Sequence, residues 1–133
     1  MSQFEWSEEE NRCFGCGENP WGLGLEFEEE EGWVRTDTRL DRRYQGFQDY
    51  AHGGIVATML DEASAWAVRL QLGSFAPSYE INCRLRKPAP LEEPLTVRAQ
   101  AEDKGHGVAL AQAQLLDREG SLLAEAEIKC KMV

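Results

Sequence analysis

One segment constrains this chain more than any other. Residues 53–72, GGIVATMLDEASAWAVRLQL, predict a single long helix. Ile55, Met59, Ala63, Trp66 and Leu70 recur at three- and four-residue spacing and predict its apolar stripe. Ala57, Ala63, Ser64, Ala65 and Ala67 are small, which fits a helix closely packed by neighbours. Gly73 suits the C-terminal stop. A helix this apolar must be wrapped, and the remaining pattern offers strands to wrap it.

After the helix the sequence alternates. Residues 78–86, 95–103, 107–116 and 121–132 each read as a strand. In the last, Leu122, Ala124, Ala126, Ile128, Cys130 and Met132 face one way, and Glu125, Glu127, Lys129 and Lys131 the other. Residues 104–107 and 117–120 are turns of hairpin length, and Pro88, Pro90 and Pro94 bracket a loop. Before the helix, residues 25–30 and 33–39 predict a hairpin around Glu31-Gly32, and 41–51 an irregular polar and aromatic loop. Residues 13–25 form a Gly- and Pro-rich loop entering a strand, and residues 1–12 an acidic arm. The expected class is therefore α+β, a curved antiparallel sheet around one central helix, with a single domain over 13–133. Its edge strands need partners, so a homodimer is expected.

A length of 133 residues leaves no room for a second core. The net charge of −10 disfavours nucleic acid and anionic membrane surfaces as partners. That charge sits mostly in residues 1–31, which hold ten acids and one base, so the body is nearly neutral. No apolar run approaches the roughly 20 residues of a membrane span. The start MSQFEWSEEE has no basic or apolar leader region, so a cytoplasmic location with reduced thiols is expected. Cys83 and Cys130 lie in strand patterns and read as small core residues.

The chain has no GxxxxGK[ST], no GxSxG and no HExxH, and its early glycines follow no strand. With two histidines, a histidine-rich metal site is not expected. Chemistry concentrates in residues 51–66, AHGGIVATMLDEASAW. His52-Gly53-Gly54 opens the helix, where free amides and the helix dipole offer donors to a developing oxyanion. Asp61 follows Leu60 in a buried helix, and a buried carboxylate needs a partner or a task. It reads equally as a general base or as an acid bonded to backbone or to a loop Ser, Tyr or Gln. His52 reads first as a structural imidazole bonded to a carbonyl, and second as an acid–base group. Glu62 and Arg69, seven apart, read as a solvated rim.

HGGIVATMLDEASAWA resembles the central-helix motif of the hotdog-fold acyl-CoA thioesterases, a superfamily that includes the phenylacetate-pathway (PaaI-like) and 4-hydroxybenzoyl-CoA enzymes. CFGCG-x-NP-x-GL and KPAPLEEPLTV, residues 87–97, also resemble one bacterial branch of it. The resemblance implies the hotdog fold and hydrolysis of an acyl-CoA to free acid and coenzyme A, with no cofactor. It implies that Asp61 is nucleophile or general base, and that the Gly53 amide polarises the thioester carbonyl. It also implies that Gly53 of one protomer faces Asp61 of the other in a homodimer, or in a dimer of dimers (a homotetramer). Ser78 would assist just before the strand that follows the helix. Many relatives carry Asn, Gln or Asp six residues before the histidine, where this chain has Gly46. Gln45 and Gln48 flank that position out of register.

On this reading Arg84, Arg86 and Lys87, together with Arg42-Arg43, are candidates to meet the coenzyme phosphates. Gly54 and Tyr50 join the substrate-binding set, and Met59, Phe47, Tyr50 and Trp66 are candidates to line the acyl pocket. Cys13-x-x-Cys16 reads as a structural loop feature of the branch. As a zinc half-site it would need two more ligands, from a dimer or from Cys83, Cys130 or His106. The alternative function is a non-catalytic acyl-ligand binding protein on the same fold, kept open by Gly46. A hotdog dehydratase would need a different histidine motif, which is absent.

Overall fold

The computed structural model describes residues 10–133, so residues 1–9 of the expected acidic arm lie outside the described residues. The chain forms β1 (Glu28–Glu30), β2 (Trp33–Thr38), a short 3-10 turn (Arg42–Tyr44), α1 (Gly53–Leu72), β3 (Ser78–Leu85), β4 (Leu95–Gly105), β5 (Val108–Asp117) and β6 (Leu122–Lys131). The strands make one antiparallel sheet in the order β1-β2-β4-β5-β6-β3, which wraps α1 as expected. Every strand boundary lies within a few residues of the alternation pattern, and α1 spans the predicted residues. At its C-terminus Gly73 takes a left-handed φ of 72°, and its amide bonds the Arg69 carbonyl.

Small side chains let the sheet close around the helix. Ala99 of β4, Ala109, Ala111 and Ala113 of β5, and Ala124 and Ala126 of β6 are all buried. Opposite them α1 buries Val56, Met59, Leu60, Ala63, Ser64, Ala67 and Val68. Each fully buried Leu, Ile or Met is worth about 1.5–3 kcal/mol over exposure, and Leu40, Leu95, Leu115 and Ile128 complete this core.

The predicted helix stripe needs correction. Of its five residues only Met59 and Ala63 are buried, and Leu70 is 41% exposed. The sheet's hollow lies over the face carrying 56, 60, 63 and 67. Ile55 and Trp66 sit at its margins, where Trp66 stacks on Phe27 at 6.5 Å between ring centroids. Of the two strand cysteines, Cys130 is fully buried while Cys83 is only partly so. No described helix is long and apolar enough to cross a membrane.

Candidate functional site

The start of α1 is built by His52. Its extended backbone makes it the N-cap, and its Nδ1 accepts the Gly54 amide at 2.9 Å. Its carbonyl accepts the amides of Ile55 and Val56 at 2.9 and 3.2 Å. Gly53 is thereby singled out, because its amide has no acceptor among the described residues. The His52 imidazole therefore serves as a cap that bonds an amide, where the sequence suggested a carbonyl.

The loop before the helix is drawn tight. Gly46 donates its amide to the Tyr50 carbonyl, and His52 bonds the Tyr44 carbonyl. A Cβ at Gly46 would lie 2.8 Å from the His52 Cα. The loop path taken here leaves no room for a side chain at position 46. The Gln45 Oε1 accepts from Arg42 Nη1 and from the Asp49 amide, both at 3.2 Å. Gln48 is exposed.

Gly53 opens onto a cavity of about 350 Å³ lined by Phe47, Tyr50, Val56, Leu85, Arg86 and Lys87. Phe47 is 89% exposed, so this wall lacks a cover in one protomer. The basic residues are not gathered as a cluster. Arg86 and Lys87 border this cavity, and Arg84 lines another with Gln112, Gln114, Glu127 and its register partner Glu125. Arg86 is paired with Glu125. Arg42 is held by Asp49 at 2.8 Å, and Arg43 by Asp41 at 3.1 Å.

Asp61 lies eight residues along α1 from Gly53, about 12 Å at 1.5 Å per residue. It lines a second cavity, of about 300 Å³, with Ser78, Trp66, Phe75, Ala76 and Pro77. Burial pushes its carboxyl above the ordinary carboxylate range, and a hydrogen bond from the Ser78 hydroxyl partly offsets that. The structure therefore joins Asp61 with Ser78, and Gly53 with Tyr50, Arg86 and Lys87, but keeps the two groups apart within one chain. The expected acyl-pocket residues divide likewise. Met59 is fully buried in the core, Phe47 and Tyr50 line the Gly53 cavity, and Trp66 lines the Asp61 cavity.

The raised Asp61 carboxyl has a stability consequence. Between its unfolded value and its higher folded value, the folded protein holds a proton that the unfolded chain has released. Stability therefore falls as pH rises through that window. Asn at 61 is exempt from this loss. Asp61→Asn is expected to raise Tm above the window, with the gain vanishing below it, as read by thermal unfolding across pH. Ser78→Ala removes the group favouring the ionised form. It is expected to move the acid limb of any Asp61-dependent rate to higher pH.

Glu62 overturns its sequence reading. It is not a solvated rim with Arg69. Its Oε1 accepts from Cys13 Sγ at 3.1 Å, and the loop carrying Cys13 and Cys16 lies over it. Arg69 instead stacks over the Trp66 ring at 4.8 Å. Burial, reinforced by the Glu62 charge, pushes the Cys16 thiol up to about 12, which argues against a thiolate nucleophile there. The signal available in sequence was Gly15. A Cβ there would fall within 2.5 Å of the Glu62 side chain, so the loop requires glycine to lie on that residue.

A family model described as "Thioesterase superfamily" matches residues 48–124, which span the His52 cap, α1 and most of the sheet. No curated protein sequence matches the chain. Solved structures match its fold closely. A putative thioesterase from Ralstonia eutropha, a phenylacetic acid degradation-related protein, is 26% identical, with TM-score 0.72, covering 84% of this chain and 86% of that one. A Streptococcus mutans protein bound to acetyl CoA is 20% identical, with TM-score 0.76 and 94% of both chains covered. The E. coli PaaI protein, from the phenylacetic acid degradation operon, is 20% identical, with TM-score 0.74, covering 84% and 80%.

Proposed function

The chain belongs to the thioesterase superfamily, and on that premise we propose that it hydrolyses an acyl-CoA thioester at a site shared by two copies. The observation that carries this reading is Asp61. It is a half-buried carboxylate on an apolar helix, steadied by one hydroxyl and open to a cavity. Supporting it, Gly53 presents the one unengaged amide at the helix start. Within one chain the two are too far apart to meet on one carbonyl.

A second copy supplies the missing half. β3 is an edge strand, and Tyr79, Ile81 and Leu85 are exposed on it, an apolar row that calls for cover. A two-fold copy pairing along this edge brings Gly53 of one protomer toward Asp61 of the other. There the amide hydrogen of Gly53 bonds the thioester oxygen. Asp61 takes a proton from water as the water attacks the carbonyl carbon; on the nucleophilic route it attacks that carbon itself, and a water then hydrolyses the resulting mixed anhydride, freeing the acid and Asp61 and supplying the proton. The C–S bond breaks, the acid leaves, and the thiolate sulfur of coenzyme A takes up the proton. A thioester is already activated, so one base and one or two amide donors suffice. Lys87, at the rim of the Gly53 cavity and outside every ion pair of the described residues, is the cation best placed for a coenzyme phosphate.

The test is free-thiol release from phenylacetyl, hydroxybenzoyl, short-chain and medium-chain CoA thioesters. Turnover of at least one is expected. Binding of these thioesters with no cleavage of any would overturn the reading, in favour of a ligand-binding protein on the same fold. The Streptococcus mutans relative bound to acetyl CoA supports the ligand class.

A further inference from the structure

The two cysteines of the N-terminal loop and Glu62 have no part in thioester hydrolysis as described above. Cys13 and Cys16 each offer a sulfur and Glu62 an oxygen, and these three atoms all lie within 4.8 Å of one another. All three residues are half-buried. The sulfurs already receive hydrogen-bond donors. The Gly15 amide reaches Cys13 Sγ at 3.3 Å, and Asn11 Nδ2 reaches Cys16 Sγ at 3.5 Å. Donors aimed at sulfur are what steadies a metal-bound thiolate. The loop is also shaped to the carboxylate, since Gly15 leaves room only for Glu62 beneath it.

We propose that Cys13, Cys16 and Glu62 bind one Zn²⁺ that clamps the N-terminal loop onto α1. The donor set selects the ion. Two thiolates and one carboxylate suit a borderline-soft tetrahedral cation, whereas Mg²⁺ and Ca²⁺ take oxygen. In a tetrahedron with Zn–S bonds of about 2.3 Å the sulfurs lie about 3.8 Å apart. The observed cluster therefore needs only small side-chain adjustments. Both thiols release their protons on binding, their charge being met by the dication. Water takes the fourth corner. Cys13, Cys16 and Glu62 share the cavity that holds Asp61 and Ser78, so the clamp also fixes one wall of that cavity. The proposal stands apart from the thioesterase reading, because it concerns metal affinity and not turnover.

The test uses the full chain, stripped of metal under reducing conditions. Co²⁺ is added as the probe, and thiolate-to-cobalt charge-transfer absorption is followed, then competed with Zn²⁺. One equivalent per chain is expected, with Zn²⁺ raising Tm. Cys13→Ser and Cys16→Ser should each abolish stoichiometric binding, and Cys83→Ser should leave it intact. Glu62→Gln keeps the shape and an acceptor for the Cys13 thiol, so it folds. It should weaken binding by about tenfold or more, since losing even an outer-shell partner costs about 10–100-fold. Absent cobalt bands, unchanged affinity in Glu62→Gln, or an intact mass short of two hydrogens from a resting Cys13–Cys16 disulfide would each overturn the site.

Discussion

Asp61→Asn is expected to lower kcat for acyl-CoA hydrolysis by about 10²–10⁴-fold, the range that a positioned general base supplies. The change keeps the side chain's size and its place beside Ser78. It removes the lone pair that accepts the proton of water, and equally the nucleophilic oxygen. KM should move little, because in the proposed mechanism the carboxylate acts at the thioester carbonyl and does not hold the coenzyme. Misfolding cannot imitate this outcome, because the same substitution is expected to raise Tm above the Asp61 titration window. An inactive variant more stable than its parent separates chemistry from structure. A loss of less than tenfold would place the base elsewhere and overturn the assignment.

What the sequence reveals and what it hides follow from how locally each feature is encoded. α1 is legible because its cap, its apolar content and its Gly73 stop all lie within one continuous segment. The strands are legible because one face of each packs on the helix, which imposes alternation on residues such as those of β6. The buried side of α1 is less legible. With small or apolar residues around most of its circumference, the helix carries no sharp stripe, and the arc of the sheet decides which residues are covered. That is why Leu70 is exposed and Val56 is not.

The candidate site divides along the same line. Asp61 stands out as an acid after Leu60 in an apolar helix, and Gly53 by its place directly after the cap. Their separation into two cavities is a matter of helical rise, which places them about 12 Å apart along α1. Arg84 and Arg86 sit two apart and would share a face if β3 continued. The strand ends at Leu85 and the Arg86 and Lys87 amides both turn to the Leu123 carbonyl, yet Arg86 still pairs with Glu125, the register partner of Arg84. Glu62 was misread because its partner lies 49 positions away, a distance that no helical spacing records.

Mixing two inactive proteins is expected to restore activity. Gly53→Pro is the second of the pair. Proline at the first position of a helix is well tolerated, and the extended backbone of His52 is the conformation that a residue preceding proline prefers. The nearest obstacle is the flexible end of the Leu85 side chain, 3.0 Å from a Cβ at this position. The substitution thus deletes one N–H donor and keeps the helix, and losing an oxyanion donor costs about 10²–10³-fold. Gly53→Ala, which keeps the N–H against the same Leu85 contact, serves as the steric control and should retain far more activity. If Gly53 of one protomer serves Asp61 of the other, a heterodimer of Asp61→Asn and Gly53→Pro chains has one site with both groups intact and one with both lost. Random exchange of equal amounts makes about half the dimers mixed, so about a quarter of wild-type activity should return. Each site built within a single chain would remain inactive in every combination, and activity would stay at the level of the separate variants. Unfolding and re-forming the mixture together, with each variant treated alone as control, gives the reading. No recovery from a mixture shown to contain heterodimers would overturn the shared site and leave the Gly53 amide and Asp61 to be explained separately.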